Sequence, residues 1–266
     1  MYTFGFIGTG NMGGALARAT AKAVSGQHIF LSDAYSPVAE ALAKELGCSA
    51  LSVEETAKTA DFIWLGVKPQ VMASMLTQIA PILKSRQNVT LISMAAGLSM
   101  ADIQKMAGGD YPVIRIMPNL PVSVGAGMIL YDYTHNVTKE RLDAFRESLA
   151  FAGKLDHLPE KLIDAGSALS GCGPAFVCLF AESLADGAVA CGLPRDKANL
   201  YAAQTLLGTA KKLLEENIHP GALKDAVCSP GGTTIAGVSA LEQSGFRSGV
   251  ISAVDSAYRK TLELGK

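Results

Sequence analysis

The chain has 266 residues, room for one large domain or two of roughly 150 residues each, and its 49% hydrophobic content supports a sizeable core. Lys and Arg total 23 against 24 for Asp and Glu, a net charge of -1. That balance excludes a global attraction to nucleic acid or an anionic membrane. Charged residues are only 18%, below the usual ~25%, which predicts extra apolar surface hidden at a subunit interface.

In chain order, Tyr2 to Ile7 is an aromatic and β-branched run that reads as a buried strand and stops at Gly8. Met12 to Val24 has helical composition, His28 to Leu31 is a second strand, and Pro37 to Leu46 a second helix. Ser36 and Pro37 are expected as its N-cap and first helical residue. A strand over Phe62 to Val67 and a helix from about Gln70 to Leu83 follow. Next come a strand over Asn88 to Ser93, a short helix over Met100 to Met106 and a strand over Val113 to Met117. This alternation, with strands apolar on both faces, predicts an α/β fold with a mostly parallel, doubly wound sheet covered by helices.

Near residue 155 the rhythm changes. Lys154 to Leu158 reads as a last strand, and Glu160 to Leu264 is helical by composition, broken at Gly192-Leu193-Pro194, His219-Pro220-Gly221 and Ser229-Pro230-Gly231-Gly232. The expected division is a dinucleotide-binding domain over residues 1–158 and a helical substrate-binding and dimerisation domain over 159–266. Leu162 to Leu193 is apolar nearly all round. Such a helix needs cover on every side, and so small a domain is expected to take part of it from a partner subunit.

Gly8-Thr9-Gly10-Asn11-Met12-Gly13 has the spacing G-x-G-x-x-G between a strand and a helix. Gly8 suits a tight turn, Gly10 a close approach of backbone to a pyrophosphate, and Gly13 close packing of helix on strand. A helix starting near Asn11 aims its N–H groups and positive dipole end at the phosphates. Asp33, at the end of the second strand beside Ser32, can accept the ribose hydroxyls of NAD and would repel the 2′-phosphate of NADP; it reads equally as a turn or capping aspartate. Val67-Lys68-Pro69, Ala95-Ala96-Gly97 and Asn119 also follow strand ends, where ligands of open α/β sheets bind. With Ile7 these complete the candidate cofactor site, for NADPH or NADH.

In the second half, Ser229-Pro230-Gly231-Gly232 makes a turn and Thr233-Thr234 opens a helix. The N–H groups there suit a carboxylate, and the threonine hydroxyls can bond a neighbouring nitrogen; a plain helix–helix connection is the other reading. The four histidines and five cysteines show no metal-ligand spacing, and the odd cysteine count with no Cys-x-x-Cys pair suggests free thiols in a reducing cytosol. The N-terminus lacks a signal-peptide pattern, and Glu182 and Asp186 interrupt the most apolar run, Ala175 to Leu193. A soluble, cytoplasmic protein is expected. The helix after Gly173-Pro174 holds no Lys to serve an alcohol substrate as base, whereas an imine, protonated readily near neutral pH, needs orientation more than a strong acid.

These residues resemble pyrroline-5-carboxylate reductase over nearly the whole chain. The likeness rests on Phe6 to Gly13, Val67 to Pro69, Ala95 to Gly97, Arg115 to Asn119, Leu169 to Ala175, and above all His219 to Asp225 with Ser229 to Gly237. The resemblance implies a Rossmann domain and an all-helical domain interleaved with a second subunit, in a dimer or a decamer of dimers. It implies hydride transfer from NAD(P)H to the imine carbon of 1-pyrroline-5-carboxylate, giving L-proline, the last step of proline biosynthesis. It places the substrate carboxylate on the backbone from Gly231 and Gly232 to Thr234, with the Thr234 hydroxyl near the ring nitrogen as the catalytic group. Two positions depart from the pattern: Cys172 stands where Ser is usual, and Asp33 where members preferring NADPH carry small polar residues.

Overall fold

In the computed structural model, which describes residues 1–86 and 88–264, the chain forms two units: Met1–Cys172 together with the stretch from Ala257 onward, and Gly173–Ser256.

The first unit is built on strands β1 (Phe4–Ile7), β2 (Ile29–Ser32), β3 (Ser49–Ala50), β4 (Phe62–Leu65), β5 (Thr90–Ser93), β6 (Val113–Met117), β7 (Gly127–Tyr133) and β8 (Gly153–His157). They form one sheet in the order β3-β2-β1-β4-β5-β6-β7-β8. Every pairing is parallel except β6 with β7. Chain order reverses at β1, the point where open sheets leave a crevice beyond their strand ends.

Alternate side chains of each strand point to opposite faces. Phe4 and Phe6 of β1 and Phe62 and Trp64 of β4 join one core with α1 (Asn11–Ala23), α2 (Ser36–Leu46) and α6 (Lys139–Ser148). Ile7, Ile63 and Leu65 join the other with α3 (Val53–Thr59), α4 (Pro69–Lys84) and α5 (Met100–Ala107). The fully buried Trp64 stacks on Phe6 with ring centroids 5.0 Å apart. Truncating such an aromatic costs about 3–5 kcal/mol.

The long elements expected from sequence are present, with ends shifted by a few residues. The second helix begins at Ser36, so its N-cap is Tyr35 and not Ser36. The reason is Asp33, whose carboxylate takes the Tyr35 N–H and shapes the turn one residue earlier. Helices α3 and α6 and strands β3 and β7 are additional to the sequence reading. The unit also runs past residue 158, because α7 (Glu160–Ser170) packs on β7 and buries Ile163 beside Met117 and Leu130. The last two residues of the expected C-terminal domain, 265 and 266, lie outside the described residues.

The second unit is helical: α8 (Gly173–Ala190), α9 (Arg195–Glu216), α10 (Pro220–Val227), α11 (Thr233–Gln243) and the start of α12 (Phe246–Leu264). Its buried core is small, Ala185, Ala198 and Ala202, while Val177, Leu179, Leu200, Leu207, Val250 and Ile251 are exposed. The helical stretch Glu160–Ala190 is long and apolar enough to cross a membrane by length and composition.

Candidate active site

The turn after β1 carries out three different tasks with its three glycines. Gly8 has φ +95°, and a Cβ there would meet the Gly66 backbone at 2.7 Å. Gly13 opens onto the Gly8 carbonyl oxygen, with which any Cβ would collide, so α1 rests directly on the turn. Gly10 differs: a Cβ would meet nothing within 4 Å. Sterics within the chain therefore do not require glycine at position 10, and the open volume above its backbone is the space a pyrophosphate needs. Gly10 is also the N-cap of α1, with no side-chain cap bond and no acidic residue in the first turn. The leading N–H groups of α1 thus keep their capacity for an anion. The residues present fit a bound dinucleotide.

Ile7 ends β1 and pairs with Ser32, the last residue of β2; the Gly8 N–H donates to the Ser32 carbonyl over 2.8 Å. Thr9 is buried, and its N–H and hydroxyl both donate to Asp33 Oδ2, at 2.7 and 3.2 Å. Lys68 caps α4 through its backbone, just before Pro69, with its side chain exposed. Beyond β5, Ala95 is buried, Ala96 exposed, and Gly97 adopts φ +76°. Ile7, Ser32, Asp33, Val67, Lys68, Pro69 and Ala95 to Gly97 thus lie at or just beyond the carboxyl ends of the neighbouring strands β2, β1, β4 and β5.

Asn119, two residues beyond β6, is engaged on both sides of its amide. Its Nδ2 donates to the Ser170 carbonyl over 2.9 Å, and its Oδ1 accepts the Met128 N–H over 2.9 Å. One N–H of the amide is left for a ligand.

The candidate substrate segment lies in the second unit. Cys228 ends α10, Gly231 turns the chain at φ +66°, and Gly232 is the N-cap of α11, again without a side-chain cap. The Gly232 N–H donates to the Ser229 carbonyl over 3.0 Å, which closes the Ser229-Pro230-Gly231-Gly232 turn. Thr233 and Thr234 open α11 and are exposed. Their hydroxyls and the first N–H groups of α11 can bond an anion and a neighbouring nitrogen together. Upstream, His219 caps α10 through Nδ1, which accepts the Gly221 N–H over 3.1 Å.

Sequence reasoning places Gly66 in a strand-end turn and Arg115 in a motif of the resemblance, but gives neither a structural task. Gly66 faces the Gly8 carbonyl so closely that a Cβ would collide with it, and its place in Gly66-Val67-Lys68-Pro69 was the available signal. Arg115, buried in β6, pairs with Asp164 at 2.7 Å and Glu160 at 3.4 Å. Glu160 also accepts the Met100 N–H at 2.7 Å, and its own N–H donates to Asp132 at 2.6 Å. The guanidinium therefore ties α7 to β6, and Glu160 links the same cluster to α5 through Met100 and to β7 through Asp132. Nothing local in the sequence announces it, because every partner is distant along the chain. Among the described residues no group of His, Cys, Asp and Glu is arranged to hold a metal ion, and all five cysteines are free.

Residues 160–264 match the family model for the pyrroline-5-carboxylate reductase dimerisation domain, and residues 3–97 match that for NADP oxidoreductase, coenzyme F420-dependent. The chain is 39% identical to the pyrroline-5-carboxylate reductase of Escherichia coli, with 98% of each covered. It is 40% identical to that of Methanosarcina acetivorans, with 98% of this chain and 97% of that one covered. Its fold is similar to the crystal structure of the Plasmodium falciparum pyrroline carboxylate reductase with NADP bound, at TM-score 0.88 and 33% identity over 100% of this chain and 98% of that one. The Coxiella burnetii pyrroline-5-carboxylate reductase gives TM-score 0.92 at 29% identity over 100% and 99%.

Proposed function

The chain belongs to the pyrroline-5-carboxylate reductase family, and on that premise we propose that it reduces 1-pyrroline-5-carboxylate to L-proline, the last step of proline biosynthesis. The reaction consumes one NAD(P)H and one proton and yields NAD(P)⁺ and proline. When bound, the reduced nicotinamide supplies hydride to the imine carbon. The chain's own residues hold and orient the reactants, the principal source of rate for an already activated iminium.

In this reading Ile7 to Gly13, Ser32, Asp33, Val67 to Pro69, Ala95 to Gly97 and Asn119 form the cofactor site. Ser229 to Thr234 form the substrate site, with the Thr234 hydroxyl bonded to the ring nitrogen as the catalytic group. The observation that carries the assignment is the start of α11, where a left-handed Gly231 and an uncapped Gly232 precede two exposed threonines. Backbone N–H groups there are complementary to a carboxylate. As functional domains we divide the chain at residues 158 and 159.

The chain forms homo-oligomers through its dimerisation domain, and we assign a dimer at least, with a decamer of dimers as the larger form. The exposed apolar helices of the second unit support that reading. We also place the protein in solution in the cytoplasm, with neither a membrane nor nucleic acid as partner. The test is loss of reduced-nicotinamide absorbance when the purified protein meets pyrroline-5-carboxylate. Proline formation is the expected result. Folded, cofactor-bound protein that oxidises neither NADPH nor NADH would overturn the substrate assignment.

A further inference from the structure

We propose that this chain favours NADH over NADPH, and that Asp33 sets the preference. The inference rests on the assignment of the Ile7 to Gly13 turn as the cofactor site, and it concerns which dinucleotide that site selects.

Asp33 directly follows β2, the strand beside β1. A side chain in that position of a dinucleotide fold faces the adenosine ribose. Its orientation is not left to chance here. Thr9 donates its N–H and hydroxyl to Oδ2, and Tyr35 donates its N–H to Oδ1 over 3.1 Å. A carboxylate offers about four lone-pair sites, so three intrachain donors leave one for a ribose hydroxyl. A 2′-phosphate in the same place has no hydrogen to donate and brings like charge against the carboxylate.

The surroundings do not neutralise that repulsion. A cavity of about 400 Å³ beside Asp33 is lined by Ser36, Glu40, Ser52 and Glu55 among others, with no Lys or Arg among the described residues. A second cavity of about 430 Å³ borders Thr9 and Tyr35 and holds one cation, Arg18, among the described residues. The guanidinium is already gripped by both oxygens of Glu45, at 2.7 and 2.8 Å. Lys68 is exposed, but it follows β4, two strands from β2, a separation of about 10 Å across the sheet. A phosphate on the ribose would thus meet a fixed anion and no available cation among these residues, whereas a ribose hydroxyl of NADH meets an acceptor.

The test is equilibrium binding of NADH and of NADPH to the intact protein, by titration calorimetry without substrate. Tighter binding of NADH by about tenfold or more, the scale of one close charge contact near a protein surface, is expected. Asp33→Asn keeps the size and one acceptor oxygen while removing the charge. It should narrow the ratio mainly by strengthening NADPH. Equal affinities, or tighter NADPH, in the wild-type protein would overturn the proposal while leaving the cofactor site intact. So would a variant that weakens both dinucleotides alike, since Asp33 would then only shape the turn. Binding of neither dinucleotide would instead defeat the cofactor-site assignment itself. If the Asp33→Asn substitution compromises folding, the wild-type ratio decides the matter without it.

Discussion

The backbone N–H of Thr9 lies 2.7 Å from Asp33 Oδ2, which joins the turn after β1 to the end of β2 across 24 positions of sequence. Thr9 is buried, so its N–H is poorly placed to exchange a lost partner for solvent. Asp33→Ala should therefore destabilise the protein by about 1–3 kcal/mol, the cost of an unsatisfied buried donor. Asp33→Asn, which keeps an acceptor, should lose less. Urea denaturation of the two variants measures the difference.

Gly10 and Gly13 should respond in opposite ways to alanine. Gly10 has φ -63° and open space where a Cβ would sit, so Gly10→Ala should fold with a near wild-type midpoint and bind dinucleotide poorly. Gly13→Ala forces a methyl into the Gly8 carbonyl and should cost about 1–3 kcal/mol as an overpacked contact. Thermal unfolding and calorimetric titration, run on both, separate a ligand contact from a packing one.

Asn119→Ala removes the acceptor of the Met128 N–H and the donor to the Ser170 carbonyl. A loss of about 1–3 kcal/mol is expected from these two stranded backbone groups. Asn119→Asp should keep the first bond and lose the second. Equal unfolding midpoints for wild type and Asn119→Ala would mean that neither bond contributes to stability.

Thr234 is exposed at the start of α11, where no side chain caps the helix. Thr234→Ala should leave the unfolding midpoint unchanged and lower turnover by about tenfold to a hundredfold, the value of one well-placed hydrogen bond in a transition state. Thr234→Ser should recover most of the rate. Steady-state kinetics decides it, and unchanged kcat in the alanine variant removes this hydroxyl from the mechanism.

Hydrogen bonds from the side chain and backbone of Ser99 hold the Asp102 carboxyl below its ordinary value of 3.8, with desolvation opposing and Lys105 and Arg115 assisting. A carboxyl depressed in the folded state stabilises the protein above its unfolded value and ceases to do so as pH falls through the folded one. Asp102→Asn should therefore lower the thermal midpoint at about pH 7, with the deficit shrinking below pH 3.8. A deficit independent of pH would assign the effect to packing alone.

Much of this molecule is legible in its amino-acid sequence. The glycine turn, the alternation of strands and helices, and the Ser229 to Thr234 segment are encoded by local rules: torsional freedom at Gly, missing side-chain caps, and strands apolar on both faces. Helix α3 also carries a legible sign, the reciprocal cap of Ser52 and Glu55, a pattern visible as spacing. Helix α6 carries a weaker one, the Thr138 N-cap whose hydroxyl accepts the Arg141 N–H, but its burial of Leu142 and Phe145 depends on where the sheet lies.

Other properties belong to tertiary structure alone. Whether Asp33 serves a ribose or a turn depends on Thr9, and Asn119 is fixed by Ser170, 51 positions away. Arg115 finds Glu160 and Asp164 only once α7 lies against β6 and β7. Local sequence determines which backbone shapes are accessible. The partner of a buried polar group is decided by which distant segment the packed core brings within hydrogen-bond reach, because desolvation makes that partner obligatory.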